Sequence, residues 1–353
     1  MNPDRKARIW FNKTFSSVFH VLGLLRAPHS PLKAELICSH TEKDFLGFEG
    51  ADECYLEPGI VKEASYIEWC LNFCKDHQID IFIPGKHMAS VSSQQGRFAQ
   101  IGTRILTAAK PEVIRLLDDK AAFYEKSHLA GFRVPAFIKV NNLPDFEHAR
   151  RKLAQEGLPV CLKPNRSTGG NGFRILDDTK TGWEHCATGD STRISPAVCR
   201  SLLPSDQPFR PLLLMEYLPG PEYSIDCLAH QGRLLRAVIR KKPQRPGGCQ
   251  WLETSSPLFE MARELTTQYH LTFLFNIQLR QARDTTPALL EINPRMSGGI
   301  HMAALSGLNL PAWGILLALN SCREQDIPLP KEGVSVHQPR TALRSTKVAS
   351  EAP

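Results

Sequence analysis

Within the first 110 residues, short apolar runs at 8–11, 34–38, 79–83 and 104–106 alternate with helical-looking segments at 15–25, 64–77 and 88–99. Strands separated by helices cannot pair as tight hairpins, so this alternation commits the chain to β-α-β units feeding a parallel sheet. The first run is followed by FNKTFSSVFH rather than a glycine-rich turn, so the fingerprint of a dinucleotide site is missing. A length of 353 residues exceeds one ordinary core and predicts two or three domains.

A second part opens at Pro111, a residue suited to the first turn of a helix. Leu116, Leu117, Ala121, Tyr124 and Leu129 keep near-helical spacing up to Gly131, with Pro135 beyond. Another helix, 144–156, stops at Gly157 and leads into PVCLKP, a strand that delivers Lys163. From about residue 210, LLLMEY, EYSIDCLA, LLRAVIR, FLFNIQLR and ALLEI read as the strands of an α+β block, with the amphipathic helix SPLFEMARELTTQYH among them. Residues 177–207 read as a loop-rich joint, and the tail after Val348 as frayed. The expected divisions are 1–110, 111–190, 191–345 and a tail at 346–353.

Hydrophobic residues at 42% and charged ones at 22% are ordinary for a globular chain. The net charge of +7 is spread along the sequence and serves either solubility or an anionic ligand. No Lys/Arg run interleaved with aromatics points to nucleic acid. Ten scattered cysteines without a C-x-x-C pair read as reduced thiols of a cytoplasmic protein, and Cys70 and Cys74, beside Trp69 and Phe73, as packing residues. No stretch has the roughly 18 to 20 apolar residues of a membrane span, so a soluble protein without membrane contact is expected.

Three stretches carry chemistry. In LKPNRSTGGNGF (162–173) a strand presents Lys163 and then turns through Gly169, Gly170, Asn171 and Gly172; such a turn is either a flexible hairpin or a loop that lets backbone N–H groups approach a phosphate. In MEYLPGPEYSID (215–226) a strand ends at Glu216 and Tyr217, makes a proline-glycine turn, and restarts with Glu222 and Asp226 on one face, either as a hairpin with solvated acids or as part of a site. In FNIQLR and ALLEINPRMSGGIH, Gln278, Glu291 and Asn293 are oxygen donors at the ends of buried strands, the kind of sparse, hard set that Mg²⁺ takes when phosphates fill its other positions. Charge at a buried strand tip costs several kcal/mol unless a cation or hydrogen-bond donor meets it.

Taken together, Lys120 in DDKAAFY, K-P-x-x-x-x-G-G-x-G at 163–172, MEYLPGPEYSID, and NIQ followed by LEINPR resemble the ATP-grasp superfamily, most closely the single-module relatives of the carbamoyl phosphate synthase large subunit. The resemblance covers about residues 80–320. It implies an N-terminal parallel α/β domain (1–110) preceding a two-subdomain ATP-grasp fold. The small subdomain (111–190) would carry the phosphate lysines and glycine lid, and the large one (191–345) the adenine and Mg²⁺ sites. By that resemblance Lys120 and Lys163 reach the phosphates of ATP under a lid of Gly169, Gly170, Asn171 and Gly172. Glu216, Tyr217 and Leu218 form the adenine site, and Glu222 accepts from the ribose. Gln278, Glu291 and Asn293 hold Mg²⁺ (or Mn²⁺), and Arg295 faces an acyl phosphate. Ser297, Gly298 and Gly299 turn a helix start toward the acceptor.

The activity implied is ADP-forming ligation of a small-molecule carboxylate to an amine, or less often a thiol. Carboxylation through carboxyphosphate, a small-molecule kinase and a non-catalytic ATP-binding scaffold are the alternatives, and a homodimer through the N-terminal part is a family-level expectation. The chain departs from a carbamoyl phosphate synthase large subunit in having motifs for one module. RKKPQRPGG (240–248) stands in the acceptor region, either as a solvated basic loop or as a contact to phosphate or substrate carboxylate. The opening RIWFNKTFSSVFHVL also looks like ATP-grasp proteins encoded alongside bacterial tellurite-resistance genes.

Overall fold

The structure is a computed structural model that describes residues 5–351 apart from 60–61, 168, 188–189, 244–246, 255–256, 340–341 and 348. It is mixed α/β and divides into two compact units, one of Met1–Arg115, Tyr223–Ile277 and Ile292–Pro353, the other of Leu116–Glu222 and Gln278–Glu291. The strands Phe273–Gln281 and Pro287–Asn293 contain two of the boundaries, so the backbone passes between units within single strands.

In the first unit the expected parallel sheet is present, with strands in the order Ser350–Glu351, Glu53–Leu56, Ala34–His40, Ala7–Phe11, Ile81–Ile83, Arg104–Ile105. The central strand is buried on both faces because apolar residues alternate to either side of it. Trp10 stacks on Phe82 at 4.2 Å and gives its indole N–H to Ser39 Oγ at 2.8 Å, while Ile9 and Phe11 face Leu22 and Leu36 in the opposite core. That second core continues through Leu228, Val238 and Phe273 to the helical residues Ala303 and Ile315, which joins the parallel sheet to the strands after Tyr223 in one unit. Those strands, Glu222–His230, Arg233–Lys241, Gln250–Glu253 and Val334–Val336, pair antiparallel in sequence order.

Several expectations need correction. Strand Glu53–Leu56 is absent from the expected set, because its four residues are only half-buried and it opens on a charged one. The helix expected over 88–99 is two, Met88–Ser93 and Gln95–Gln100; Ser93 Oγ bonds the carbonyl of Ser90 and competes with continuation. The tail is docked rather than frayed, for Ser350–Glu351 pairs with Glu53–Leu56 and Glu49 accepts from Thr346 and Lys347 amides at 2.8 and 3.1 Å.

The second unit holds a five-stranded sheet in the order Phe137–Val140, Leu212–Glu216, Val160–Pro164, Arg174–Leu176, Arg193–Ile194. Its core is built on Phe146, Ala149 and Leu153 of helix Leu143–Gln155. Leu212–Glu216, expected to join the strands that follow it, lies instead between Phe137–Val140 and Val160–Pro164, antiparallel to both. Its apolar run Leu213, Leu214 and Met215 is what a central strand covered on both faces needs. The segment read as a loop-rich joint contains helices Gly182–Ala187 and Pro196–Leu202, the latter capped by Ser195 Oγ accepting from Val198 N at 3.3 Å with proline at its first position. No single helix among the described residues is long and apolar enough to cross a membrane.

The tail contact is testable. The three hydrogen bonds from residues 346 and 347 and one from Ser345 hold the Glu49 carboxyl at about 2, far below its ordinary value. Glu49→Gln therefore removes the charge that orders this segment, and the amides of Thr346 and Lys347 are expected to exchange with solvent faster while those of the parallel sheet stay protected. Unchanged exchange at 346–347, read by mass spectrometry, would refute the docking.

Candidate functional site

The second unit gathers most of the residues singled out for a nucleotide. Asp119 caps helix Lys120–Leu129 by accepting from Ala122 N at 3.2 Å, and Asn165, just past strand Val160–Pro164, gives Nδ2 to Asp119 at 3.0 Å and accepts from Ala121 N at 2.9 Å. This clasp fixes the start of the helix against the end of the strand and so brings the two lysines together. Neither Asp119 nor Asn165 stood out in the sequence, although an aspartate directly before a helical run is an N-cap signal.

Lys120 is 5% exposed; its Nζ donates to Ser167 O at 2.7 Å and lies 3.8 Å from Glu291 Oε2. Lys163 Nζ donates to Tyr124 Oη at 2.7 Å, and that hydroxyl donates to Leu290 O at 2.7 Å. Tyr124, predicted only as a helix core residue, therefore positions Lys163. Burial lowers the pKa of both ammonium groups, and Glu291 opposes the shift in each. Glu291 thus faces two desolvated cations, with Asp118 also acting on Lys120 and Glu222 on Lys163, and the two ammonium groups are donors suited to phosphate oxygens.

Gly169, Gly170 and Gly172 all have positive φ, between 65° and 77°, and Phe173 N closes the turn onto Gly170 O at 3.1 Å. A side chain at Gly172 would bring its Cβ within 2.7 Å of Pro164, whereas Gly169 and Gly170 have open space where a Cβ would stand. Asn171 is exposed, and Thr168 lies outside the described residues. Glu216 accepts from Ala136 N at 3.4 Å and stands 4.0 Å from Arg133; the amides of Glu216 and Tyr217 bond Ala136 O and Pro159 O. Tyr217 Oη accepts from Arg280 at 3.2 Å, and Leu218 is buried with Ala282 and Ala288. Two main-chain amides of the expected adenine edge are therefore already bonded within the sheet. Glu222 and Gln278 also belong to this unit, both half-buried.

In the first unit, Arg295 lies with its guanidinium carbon 4.8 Å from the Phe15 ring centre and bonds Asn293 Oδ1 and Met296 O, each at 3.3 Å. Ser297 Oγ accepts from Gly299 N at 3.2 Å and from Arg240 at 3.0 Å. The helix that follows, Ile300–Ala303, is a single turn, so the expected dipole toward an acceptor is weak for want of aligned peptides. Gly298 is exposed, and a Cβ on Gly299 would come within 2.6 Å of Arg240.

Of RKKPQRPGG, read as a solvated loop or ligand contact, Arg240 departs from both expectations. It is 2% exposed and pairs at 2.8 Å with Asp226, itself 0% exposed, while Ser224 and Gln250 accept its other protons and Asn276 bonds Asp226 at 3.0 Å. Residues 244–246 of that stretch lie outside the described residues. Asp226, expected either as a solvated acid of a hairpin or as part of a site, is instead the buried counterion that makes Arg240 tolerable; only the alternation of the strand hinted at it. Beside this pair, His301 stacks on His20 at 4.0 Å, and burial, then His20 and Arg240, push its pKa down to about 4.

All ten cysteines are free thiols; Cys70 and Cys74 are buried in the core, as expected. Among the described residues no group of three or more His, Cys, Asp or Glu gathers as a metal site. The Mg²⁺ set read from sequence holds one carboxylate, Glu291, which has cationic company in Lys120 and so fits a cation that arrives together with phosphate charge.

With this geometry in view, residues 208–342 match the family model described as ATP-grasp in the biosynthetic pathway with Ter operon. The match lies there and not on the opening RIWFNKTFSSVFHVL. Carnosine synthase 1 of Gallus gallus is 34% identical over 124 residues, and the carbamoyl phosphate synthase large chain of a Mycobacterium species (strain JLS) is 35% identical over 85. Those matches take in 31% and 24% of this chain but only 13% and 7% of the relatives' lengths. Among solved structures, an L-amino acid ligase from Bacillus licheniformis has a TM-score of 0.61 at 17% identity, covering 93% of this chain and 78% of the other. The biotin carboxylase domain of 2-oxoglutarate carboxylase from Hydrogenobacter thermophilus, in complex with MgADP, ADP and bicarbonate, has a TM-score of 0.60 at 16% identity, covering 91% and 72%. The fold is that of ATP-grasp proteins.

The first-unit geometry can be tested at two residues. Asp226→Ala strands the Arg240 charge in the interior and is expected to cost about 3–5 kcal/mol in urea unfolding; a loss below about 1 kcal/mol would refute the pairing. His301 is expected to titrate near 4 by NMR. Its folded pKa lies below that of an unfolded histidine, so its contribution to stability is present above about pH 6.5 and is lost as pH falls toward 4. A His301 midpoint at or above 6 would contradict its burial.

Proposed function

We propose that the chain is an ATP-dependent ligase that phosphorylates a small-molecule carboxylate and passes the acyl group to an amine, or less often a thiol, with release of ADP and phosphate. The observation that carries this reading is the pairing of Lys120 and Lys163 around Glu291 beside a positive-φ glycine turn. Its support from relatives is that the matched model is an ATP-grasp one and that two similar structures are an L-amino acid ligase and a carboxylase domain bound to MgADP. In this reading residues 1–110 precede an ATP-grasp module whose small and large parts run over 111–190 and 191–345.

Lys120 and Lys163 are held ready by Ser167 O and by Tyr124, and each exchanges that contact for a phosphate oxygen. Because both are desolvated, their charges act in a medium where they count for more than in water. The glycine turn closes over the phosphates and excludes water. Tyr217, Leu218 and Glu216 flank the base, and Glu222 accepts from the ribose. Gln278 and Glu291, with Asn293 two places further along its strand, would hold Mg²⁺, which supplies neutralisation of phosphate charge when bound.

The substrate carboxylate oxygen attacks the γ-phosphorus and the bond to the β-phosphate oxygen breaks, leaving ADP and an acyl phosphate. The amine then attacks the carbonyl carbon, loses its proton, and expels phosphate. Arg295 stabilises the charge that builds on the acyl phosphate in both steps. No side-chain nucleophile is needed, and the work of the residues is placement and charge.

Incubation with ATP·Mg²⁺, hydroxylamine and pooled carboxylates is expected to yield a hydroxamate together with ADP. Lys163→Met should slow this by about 10²-fold or more, and Arg295→Ala by a similar factor. Hydroxamate with AMP would overturn the mechanism; a phosphorylated product that hydroxylamine does not trap would replace it with a kinase.

A further inference from the structure

The strand order of the parallel sheet reverses beside its first strand. From Ala7–Phe11 the chain builds outward on one side through Ala34–His40 and Glu53–Leu56, then returns to build on the other through Ile81–Ile83 and Arg104–Ile105. In open parallel sheets the crevice at such a reversal, outside the carboxyl ends of the strands, is where ligands lodge, because the loops there part in opposite directions. Here the two loops are clasped at their base: Asn12 Oδ1 accepts from Gly85 N, and a Cβ on Gly85 would come within 2.6 Å of Lys13 O.

Just beyond the clasp lies a cavity of about 50 Å³. Its walls include the apolar Phe11, Val18, Ile83, Leu106 and Leu274, with the hydroxyl residues Thr14, Ser17 and Thr107 among them, and residues 294–297, Arg295 included, also line it. Phe15, which carries the Arg295 guanidinium over its ring at 4.8 Å, also lines the cavity and is 49% exposed. The chamber is therefore mainly apolar, with a few hydroxyl groups, and cationic at one wall, the complement of a short aliphatic acid. Its volume is about a third of the roughly 150 Å³ that encloses a benzene ring, which leaves room for about two or three carbon atoms.

The geometry points to this cavity as the subsite for the aliphatic tail of a small carboxylate whose carboxylate group meets Arg295. Size selects by packing, since a tail of two or three carbons fills the chamber and a ring or longer chain exceeds its volume. The inference rests on the ligase reading for what happens next to the carboxylate, but not for its binding.

The test uses the whole chain without ATP and a series of acetate, propionate, butyrate, hexanoate and benzoate, with dissociation constants from ligand-observed NMR. Each methylene from acetate to butyrate is expected to tighten binding about four-fold, from about 0.8 kcal/mol per buried CH₂. Hexanoate should gain nothing further, and benzoate should bind more weakly than butyrate. Leu106→Ala, at a half-buried wall position, should move the optimum toward hexanoate, and Arg295→Ala should weaken butyrate at least ten-fold while leaving butyramide unchanged. Binding independent of chain length, or an optimum that Leu106→Ala leaves in place, would overturn the subsite. If the length optimum holds but no carboxylate yields a hydroxamate, the subsite stands and the ligase reading falls. Hydroxamate formation without a length optimum leaves the ligase reading standing and removes the subsite.

Discussion

Two lysines, one glutamate and a tyrosine hydroxyl share a desolvated space in the second unit, and the surrounding chain is arranged around that charge balance. Taking an ammonium group out of water costs several kcal/mol unless partners replace its hydration. Lys120 finds Ser167 O and Glu291, and Lys163 finds Tyr124, whose proton goes on to Leu290 O. These partners come from the loop at Ser167, the helix Lys120–Leu129 and the strand Pro287–Asn293, which explains why the Asp119–Asn165 clasp, the central placement of Leu212–Glu216 and the end of Pro287–Asn293 matter to the same few atoms. Removing Glu291 would leave two like charges facing each other.

The first unit solves a similar problem in the opposite sense. Arg240 and Asp226 are both buried, and Ser224, Gln250, Asn276 and Ser297 each donate to or accept from the pair. A satisfied pair of this kind has no capacity to spare for a ligand, so its contribution is geometric. It fixes Ser297, and with it the backbone that carries Arg295, while Gly299 supplies the space for the guanidinium.

Most of the parallel sheet was legible because its inner strands carry apolar runs and its helices are amphipathic, and the phosphate lysines because motif order brought them to notice. Other features depended on partners far away in the chain. Leu212–Glu216 has the same composition whichever sheet it joins, and only its pairing with Val160–Pro164 decides the matter. Arg240 reads as a solvated cation until Asp226 is seen 14 positions earlier on the neighbouring strand. Helix Pro196–Leu202 was visible in principle, since Ser195 before Pro196 is a helix start, but polar residues on either side made the segment look irregular. Glu53–Leu56 lacked enough buried residues to declare itself, and Tyr124 showed its apolar side to the sequence and its hydroxyl only to Lys163.

The division of the chain has a consequence for how the molecule is made. The backbone passes from one unit to the other four times, at 115–116, 222–223, 277–278 and 291–292. During synthesis from the amino end, the parallel sheet can assemble early apart from its short outermost strand at 350–351, but the strands that complete its unit emerge only after residue 222. The other unit likewise waits for residues 278–291, among them Glu291, to balance lysines that left the ribosome more than a hundred residues before. Through that interval Phe11, Leu22 and Leu36 lack the partners Leu228, Val238 and Phe273 that later cover them. The nascent chain therefore carries exposed apolar surface until the residues beyond 222 emerge, an interval of the kind in which incompletely folded chains are prone to aggregate.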